Sequence, residues 1–237
     1  MTQDQISVTS RPEPLKRSPG FKMSRAHHRA WSPKLKRFTN SYSPAEWTLL
    51  LQLEGGPAVR TYCEHFPSID EFINGKRLRF VFTFWVEYRD GREVLISVVK
   101  KRDLVPNLAG DMEPLRWRDI CTWCTQHGLQ CRFVVEGTGE LKNSTLTINW
   151  AQILPYVRSG IEKPNADLAD RVHAAVRARE IGVISDLSRV FPAEEPGELN
   201  EVLFVLLHAG RITIDLALEA IHQNTKVGVT NETPITS

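Results

Sequence analysis

Four cysteines are the first side chains in this sequence whose type and spacing could do chemistry: Cys63, Cys121, Cys124 and Cys131. Cys121 and Cys124 form a Cys-x-x-Cys pair, a spacing with which thiolates often hold zinc. A structural zinc ion takes four ligands, usually from two such pairs, and His127 alone does not complete the set. We therefore expect reduced thiols, with Cys121 and Cys124 as small buried residues of a helix.

A basic segment near the start of the chain is the second candidate. Between Arg11 and Arg37 it carries nine basic residues against one acid, Glu13, and prolines interrupt it. Such a composition buries little apolar surface, so we expect residues 1–40 to form a flexible arm. Basic arms often neutralise phosphates, although they also serve as solubilising tails. The residues expected to contact DNA are Lys16, Arg17, Lys22, Arg25, Arg29, Lys34, Lys36 and Arg37.

The sequence as a whole argues against several classes of protein. It has no apolar run of about 18 residues, so no transmembrane helix and no membrane partner are expected. The polar start, Met1–Gln5, lacks the apolar stretch of a secretory signal, so we expect a cytoplasmic protein. Gly-x-Ser-x-Gly, His-Glu-x-x-His and phosphate-binding glycine loops are absent, which disfavours a serine hydrolase, a metalloprotease or a P-loop nucleotidase.

A capping box predicts the first helix of the chain. Ser43 can cap the helix, Pro44 suits its first position, and Glu46 sits where its side chain can return to the cap. Trp47 and the leucines that follow it give the helix an apolar face. The run Gly55-Gly56-Pro57 then ends it.

Strands and a second helix predict a mixed α/β fold for residues 41–160. The clearest signal is residues 79–100, two runs of aromatic and β-branched residues that turn at Asp90-Gly91 and predict a β-hairpin. Residues 117–127 predict a helix and residues 130–135 a strand. This order of elements is typical of a central sheet flanked by helices.

Residues 161–229 have a different pattern, which predicts a small helical domain. Apolar spacing predicts three helices, over residues 166–179, 182–190 and 198–208. Residues 211–214 then alternate like a strand. Three helices and a short strand fit a winged-helix domain, and a generic helical bundle is the alternative. The last residues, 230–237, are expected to be a tail.

The hairpin also carries a resemblance to a known family. Arg79–Lys101 (RFVFTFWVEYRDGREVLISVVKK) resembles the strand pair of the TnsA endonuclease N-terminal family, which is similar to PD-(D/E)XK restriction nucleases. Val59–Pro67 resembles that family's segment ending in Glu-Gln-Pro, and Ser43-x-x-Glu46 resembles its catalytic helix. Trp117–Glu136 resembles its second helix–strand pair. The resemblance covers residues 40–158 and implies a restriction-endonuclease-like mixed sheet flanked by helices.

The same resemblance implies where a catalytic centre would lie. In such nucleases carboxylates hold one or two Mg²⁺ ions, and a lysine orients water. Glu46 matches the helical glutamate, but the aspartate falls on Thr83, the second acid on Ser97 and the lysine on Val99, and none of these three is charged. Lys101, two residues beyond Val99 and therefore expected on the same strand face, is a candidate substitute for the lysine. We therefore expect no cofactor, with Mg²⁺ needed only if the nuclease is active.

The function implied is that of a TnsA-like subunit of a heteromeric DNA transposase, with lost or weakened endonuclease activity. Its expected partners are double-stranded DNA at the transposon ends and a DDE-type transposase subunit, with an ATPase regulator as a further candidate. Leu199–Val227 resembles the terminal part of such proteins. The acids of this part favour protein contact over DNA contact: Glu194, Glu195, Glu198 and Glu201. The alternatives are an active Mg²⁺-dependent endonuclease that cuts the 5′ ends of the transposon, and a DNA-binding regulator or scaffold outside transposition.

Overall fold

The structure is a computed structural model, which describes residues 13–14, 27–142 and 144–230. Its strands are β1 (His28–Ser32), β2 (Arg37–Ser41), β3 (Val59–Glu64), β4 (Ser68–Ile73), β5 (Lys76–Val81), β6 (Phe84–Tyr88), β7 (Glu93–Val99), β8 (Leu104–Pro106), β9 (Met112–Pro114), β10 (Gln130–Val135), β11 (Ile212–Ile214) and β12 (Val227–Val229). Its α-helices are α1 (Pro44–Gly55), α2 (Trp117–Gln126), α3 (Ser144–Glu162), α4 (Ala166–Arg177), α5 (Asp186–Val190) and α6 (Pro196–His208).

The chain divides into two units. Their described parts are residues 27–30, 39–49 and 58–142 in unit 1, and residues 31–38, 50–57 and 144–230 in unit 2. Helix α3 therefore groups with the C-terminal residues, whereas the sequence analysis placed residues up to 160 in the earlier domain.

A four-stranded mixed sheet forms the centre of unit 1, in the order β10–β7–β6–β3. The β3–β6 and β6–β7 pairs are antiparallel, and β7–β10 is parallel. A parallel pair needs a crossover connection, and α2 lies within the one between β7 and β10. The inner side chains pack against α2 in a core that includes Phe82, Trp85, Leu95, Ile120 and Trp123. The expectation of a mixed α/β class with a mixed sheet and helices is confirmed at this level.

The predicted hairpin is present between β6 and β7. Its turn is closed by the Tyr88 N–H, which donates to the Arg92 carbonyl at 2.9 Å. Gly91 has a φ of +83°, which favours glycine at this position. The Asp90 carboxylate accepts from the side chain and the main chain of Arg92, and these bonds hold the pKa of Asp90 below its ordinary value.

The first strand of the predicted hairpin is shorter than expected. Residues 79–88 were predicted as one strand, but they form two, separated at Phe82 and Thr83. The earlier strand, β5, pairs with β4 in a separate two-stranded sheet, with Asp70 opposite Arg79. The run of aromatic residues hid this break because Phe82 is fully buried and continues the apolar pattern through it.

Within residues 1–40, which we expected to form a flexible arm, the structure has two strands, β1 and β2, that pair with each other. The cause is a set of small polar residues that the fold buries. Ser32, Thr39 and Ser41 are each no more than 1% exposed, and the Thr39 hydroxyl donates to the Ala30 carbonyl. In sequence, such serines and threonines suggest a loop. Residues 1–12 and 15–26 of the predicted arm, including Lys16, Arg17, Lys22 and Arg25, lie outside the described residues, and so do residues 231–237 of the predicted tail.

An ionic network fastens the β4–β5 hairpin to α2 within unit 1. Arg116, which precedes α2, donates to the Asp119 carboxylate at 2.7 Å and to the Arg77 carbonyl at 2.7 Å. Asn74, in the β4–β5 turn, donates to the other Asp119 oxygen at 2.8 Å. The Arg116 and Asn74 side-chain bonds hold the pKa of Asp119 below its ordinary value of 3.8. Asp119 therefore joins the helix start to the hairpin.

We expect Asp119→Ala to lower the free energy of unfolding by about 1 kcal/mol at neutral pH, because Arg116 and Asn74 lose an acceptor. Since the pKa of Asp119 is lowered by folding, its contribution is present above pH 3.8 and is lost as the pH falls through the lowered pKa. Urea titrations from neutral to acidic pH measure this, with the exposed Asp111→Ala as control. If the difference in unfolding free energy between wild type and Asp119→Ala does not decrease at acidic pH, the ionised carboxylate of Asp119 does not stabilise the fold in this way.

Unit 2 contains the three predicted helices and a two-stranded sheet. α4 and α6 agree with their predicted ranges, and α5 begins later, at Asp186. The Asp186 carboxylate accepts from the N–H groups of Gly182 and Val183, which shapes a loop where we expected the helix to start. The predicted strand is β11, and it pairs antiparallel with β12.

Candidate functional site at the end of the central sheet

Three polar residues lie in one row at the end of the central sheet in unit 1. The strand register places Phe84 opposite Glu64 on one side and opposite Ile96 on the other. One residue earlier, Thr83 therefore falls between His65 and Ser97. The His65 N–H donates to the Thr83 carbonyl at 2.8 Å, and the Val98 N–H donates to the Thr83 hydroxyl at 2.9 Å. Thr83 and Ser97, predicted from separate strands, are thus neighbours.

Glu46 lies beside this row, at the start of α1. The Ser43 hydroxyl accepts from the Glu46 N–H at 3.1 Å, as the capping box predicts. The Glu46 carboxylate accepts from the N–H of Tyr42, one residue before the cap, at 2.7 Å. The same carboxylate oxygen is 3.9 Å from His65 Nε2. Glu46 therefore has a structural role in the helix start and also reaches the sheet end.

His65 is the residue of this site that the sequence analysis did not select. It is buried, and its ring lies 5.1 Å from that of Tyr42. The one signal for it was its place in Glu64-His65-Phe66-Pro67, where the resembled family has Glu-Gln-Pro. The separation from Glu46 is too long for a direct hydrogen bond, so the two form an ion pair only when the imidazole is protonated.

The residues at the sheet end do not fit Mg²⁺. This ion prefers charged oxygen ligands, and Glu46 is the one carboxylate among the four predicted positions. The Thr83 hydroxyl already accepts a main-chain hydrogen bond. Ser97 is 2% exposed, and its hydroxyl has no hydrogen-bond partner in the described part of the chain. Val99 offers no ligand atom, and nowhere in residues 27–142 and 144–230 do three or more His, Cys, Asp or Glu side chains form a group able to hold a metal.

Lys101 is not placed as we predicted. The sequence analysis gave it the same strand face as Val99, but β7 ends at Val99 and Lys101 opens a 3-10 turn. Lys100, Lys101 and Arg102 are exposed together just beyond the end of the strand. They form a basic cluster near the end of the sheet that carries Ser97.

Four of the basic residues predicted to contact DNA are described, and they differ in availability. Lys34 caps the end of α1, because its ammonium group donates to the carbonyls of Leu53 and Gly56 at 2.9 and 2.5 Å. The Arg37 side chain donates to the carbonyl of Phe38 at 3.1 Å. Arg29 and Lys36 are exposed. Lys34 is therefore engaged within unit 2, and the exposed residues of the four are Arg29 and Lys36.

Two of the cysteines, Cys121 and Cys131, lie in contact and have thiols of raised pKa. Cys121 and Cys124 lie on α2 as predicted, with Cys124 fully buried, and all four cysteines are free. The Cys121 and Cys131 sulfurs are 3.5 Å apart. The pKa of the Cys121 thiol is raised to about 12, mainly by burial and secondly by its hydrogen bond with Cys131. The pKa of the Cys131 thiol is also raised, by its hydrogen bond with Cys124 and by burial. Thiols with raised pKa are poor nucleophiles and poor metal ligands at neutral pH.

Helix α6 of unit 2 is poorly placed to read DNA. No residue from Glu198 to His208 is exposed. The close approach of α3 contributes to this, since a Cβ added at Gly160 would lie 2.8 Å from Val205. Glu198 accepts a hydrogen bond from Asn165, and Glu194 pairs with Arg171. A helix covered in this way cannot enter a major groove without unpacking.

No protein-family model matches this chain, and no curated protein matches it. Within the residues described, none of the helices combines the length and the apolar character needed to span a membrane.

Proposed function

We propose that this chain is a TnsA-like subunit of a heteromeric DNA transposase that binds transposon-end DNA and partner transposase subunits, with lost or much weakened endonuclease activity. The observation that carries the proposal is the order α1, β3, β6, β7, α2, β10 around a mixed sheet, with Glu46, Thr83 and Ser97 at one end. That order and that placement are what the resemblance to restriction-endonuclease-like nucleases implies.

The loss of activity follows from the chemistry of the sheet end. Hydrolysis of a phosphodiester needs an activated water and stabilisation of the charge on the phosphate, which these nucleases obtain from metal ions. Thr83, Ser97 and Val99 supply neither a charged ligand nor a cation. Lys101 lies in an exposed 3-10 turn beyond the end of β7 and so does not occupy the strand position of that lysine. The site is therefore suited to binding and assembly rather than to cutting.

Unit 2 supports a role in partner binding. Helices α4, α5 and α6 together with the β11–β12 pair are compatible with a winged-helix-like domain. The covered α6 and the acids near its start argue against DNA contact there, since a duplex attracts basic surfaces. We assign protein contact to unit 2 and DNA contact to the basic cluster Lys100–Arg102 and to Arg29 and Lys36.

The test is nicking of transposon-end duplexes by the purified protein together with a DDE-type transposase subunit, the partner that the proposal requires, in Mg²⁺ or Mn²⁺. We expect no cutting above the level seen with the transposase alone, and a gel shift that weakens as salt rises. Glu46→Gln is the matched variant, because an amide oxygen still accepts from Tyr42 while the charge is removed.

Two outcomes would contradict the proposal. Cutting at the 5′ ends that is lost in Glu46→Gln would establish an active endonuclease with an unrecognised ligand in place of the aspartate. DNA binding that is unchanged by the transposase, with no complex between the two proteins, would favour a regulator or scaffold outside transposition.

A further inference from the structure

Three of the four cysteines of this chain meet between α2 and β10 in unit 1. The Cys121 and Cys131 sulfurs are 3.5 Å apart, so the two atoms are in contact. Cys124, one helical turn after Cys121, also forms a hydrogen bond with Cys131. Two thiols in contact, one on a helix and one on the strand packed beside it, are placed as the two halves of a disulfide must be before they bond.

The two thiols in contact are also the ones that solvent reaches. Cys121 and Cys131 are partly exposed, whereas Cys63 is fully buried and Cys124 is 1% exposed. A small oxidant can therefore reach Cys121 or Cys131 directly, but it cannot reach the other two without local unfolding. A disulfide bond is shorter than the present contact, so the sulfurs have to approach further, and rotation of the two side chains is the motion that brings them together.

A bond at this place would fasten the edge strand of the central sheet. β10 is an edge strand, which pairs with β7 on one side. Cys131 is its second residue, and Cys121 lies in the second turn of α2. Asp119 already joins the start of α2 to the β4–β5 hairpin through its bonds to Asn74 and Arg116. A link from Cys121 to Cys131 would therefore add a covalent tie from the same part of α2 to the edge strand.

We propose that Cys121 and Cys131 form an oxidisable thiol pair, which closes to a disulfide under sustained exposure to hydrogen peroxide and reopens with a thiol reductant. First, one sulfur attacks a peroxide oxygen and the O–O bond breaks, which gives a sulfenic acid and one water. The other sulfur then attacks the sulfenic sulfur and the S–O bond breaks, which gives the disulfide and a second water. The two sulfurs lose two electrons, and one peroxide is reduced to two waters.

This pair is suited to slow protection rather than to fast sensing. The raised pKa of both thiols keeps them protonated at neutral pH, and a protonated thiol attacks a peroxide slowly. The second step is fast by contrast, because the attacking sulfur is already in contact with its target. A sulfenic acid formed here is thus captured as a disulfide before a second peroxide converts it to the irreversible sulfinic acid. The inference does not depend on the DNA binding proposed above.

The experiment treats the reduced full-length protein with hydrogen peroxide, blocks the remaining thiols with N-ethylmaleimide and maps disulfides by mass spectrometry. Trypsin leaves the three clustered cysteines in one peptide, whereas chymotrypsin, which cuts after aromatic residues and leucine, separates them at Trp123 and Leu129. We expect a link between Cys121 and Cys131 that dithiothreitol removes. Amide hydrogen exchange in β10 should be about tenfold slower in the oxidised protein, because the closed loop restricts the opened chain.

Cys124→Ala is the matched variant, because it removes the third thiol of the cluster and should leave the link between Cys121 and Cys131 in place. Three wild-type results would overturn the inference: a link from Cys131 to Cys124 alone, links only between two molecules, or sulfinic acid at Cys121 or Cys131 without a disulfide. Unmodified thiols after a treatment that fully oxidises glutathione in the same tube would also overturn it. The wild-type map decides the question by itself if Cys124→Ala does not fold.

Discussion

Replacement of Glu54 by alanine is expected to lower the free energy of unfolding by about 3–5 kcal/mol, because it breaks a buried charged network. Glu54 lies near the end of α1 in unit 2 and is fully buried. One carboxylate oxygen accepts from the Ser32 hydroxyl at 2.5 Å. The other accepts from the Lys34 N–H at 3.0 Å and lies 3.0 Å from His208 Nε2. Alanine leaves these groups without their acceptor in a site that water does not reach.

Urea denaturation of the purified protein measures this effect. The matched control is Glu162→Ala, which removes an exposed glutamate of the same unit that pairs with Arg158. Its expected cost is at most about 0.5 kcal/mol, the usual value for such a helical pair. The loss of unfolding free energy in Glu54→Gln should lie between the losses in Glu54→Ala and Glu162→Ala, since the glutamine amide still offers one acceptor. A loss below about 1 kcal/mol for Glu54→Ala would mean that water or a rearranged loop satisfies these donors.

Elements with strong local signals were predicted well. The helix α2 and the strand β10 agree with the predicted ranges to within one residue, and Gly128 after α2 has a φ of +68°, as the expected helix stop requires. The Asp90-Gly91 turn was also correct. In each case the residues that define the element lie within one short segment, so the sequence contains the cause of the structure.

Elements that depend on distant packing were not predicted. Ser32 and Thr39 stabilise the β1–β2 pair from buried positions, yet a buried serine looks the same in sequence as a serine in a loop. The break at Phe82 and Thr83 arises because β5 leaves the central sheet to pair with β4. Neither feature has a signal in its own segment of the sequence, since each depends on which other strand pairs with that segment.

The candidate site shows the same division. The resemblance placed Glu46, Thr83 and Ser97 at related positions, and the strand register brings Thr83 and Ser97 side by side. The sequence analysis did not select His65, nor Glu54 of unit 2, because a single histidine or glutamate forms no spacing pattern that could be recognised. Their partners are contributed by other segments of the chain, such as His208 for Glu54.

The neutral side chains of Thr83 and Ser97 at the sheet end have a structural benefit. Carboxylates at positions 83 and 97 would repel each other in a buried site unless a cation lay between them. With Thr83, the hydroxyl instead accepts from the Val98 N–H and completes the main-chain bonding between β6 and β7. The central sheet of unit 1 thus holds this end together with hydrogen bonds of its own residues.

Gly55→Ala is expected to cost about 3 kcal/mol of stability, at the upper end for an overpacked core. Gly55 is the last residue of α1, and a Cβ added there would lie 1.9 Å from Trp150 Cε2 and 2.3 Å from its Nε1. Trp150 is itself buried, so the ring has little room to move. The control is Gly197→Ala in the first turn of α6, where a Cβ meets nothing within 4 Å. Alanine there should be neutral or stabilise by up to about 0.5 kcal/mol, since it reduces the entropy of the unfolded chain.

The cause of the Gly55 effect can be isolated with a double-mutant cycle. In a Trp150→Leu background the indole atoms are gone, so the cost of Gly55→Ala should shrink to below about 1 kcal/mol. Trp150→Leu lowers stability by itself, and the comparison is therefore made between the two backgrounds by urea denaturation. If Gly55→Ala costs as much without the indole as with it, the glycine is required by the backbone at the end of α1 rather than by the ring packed against it.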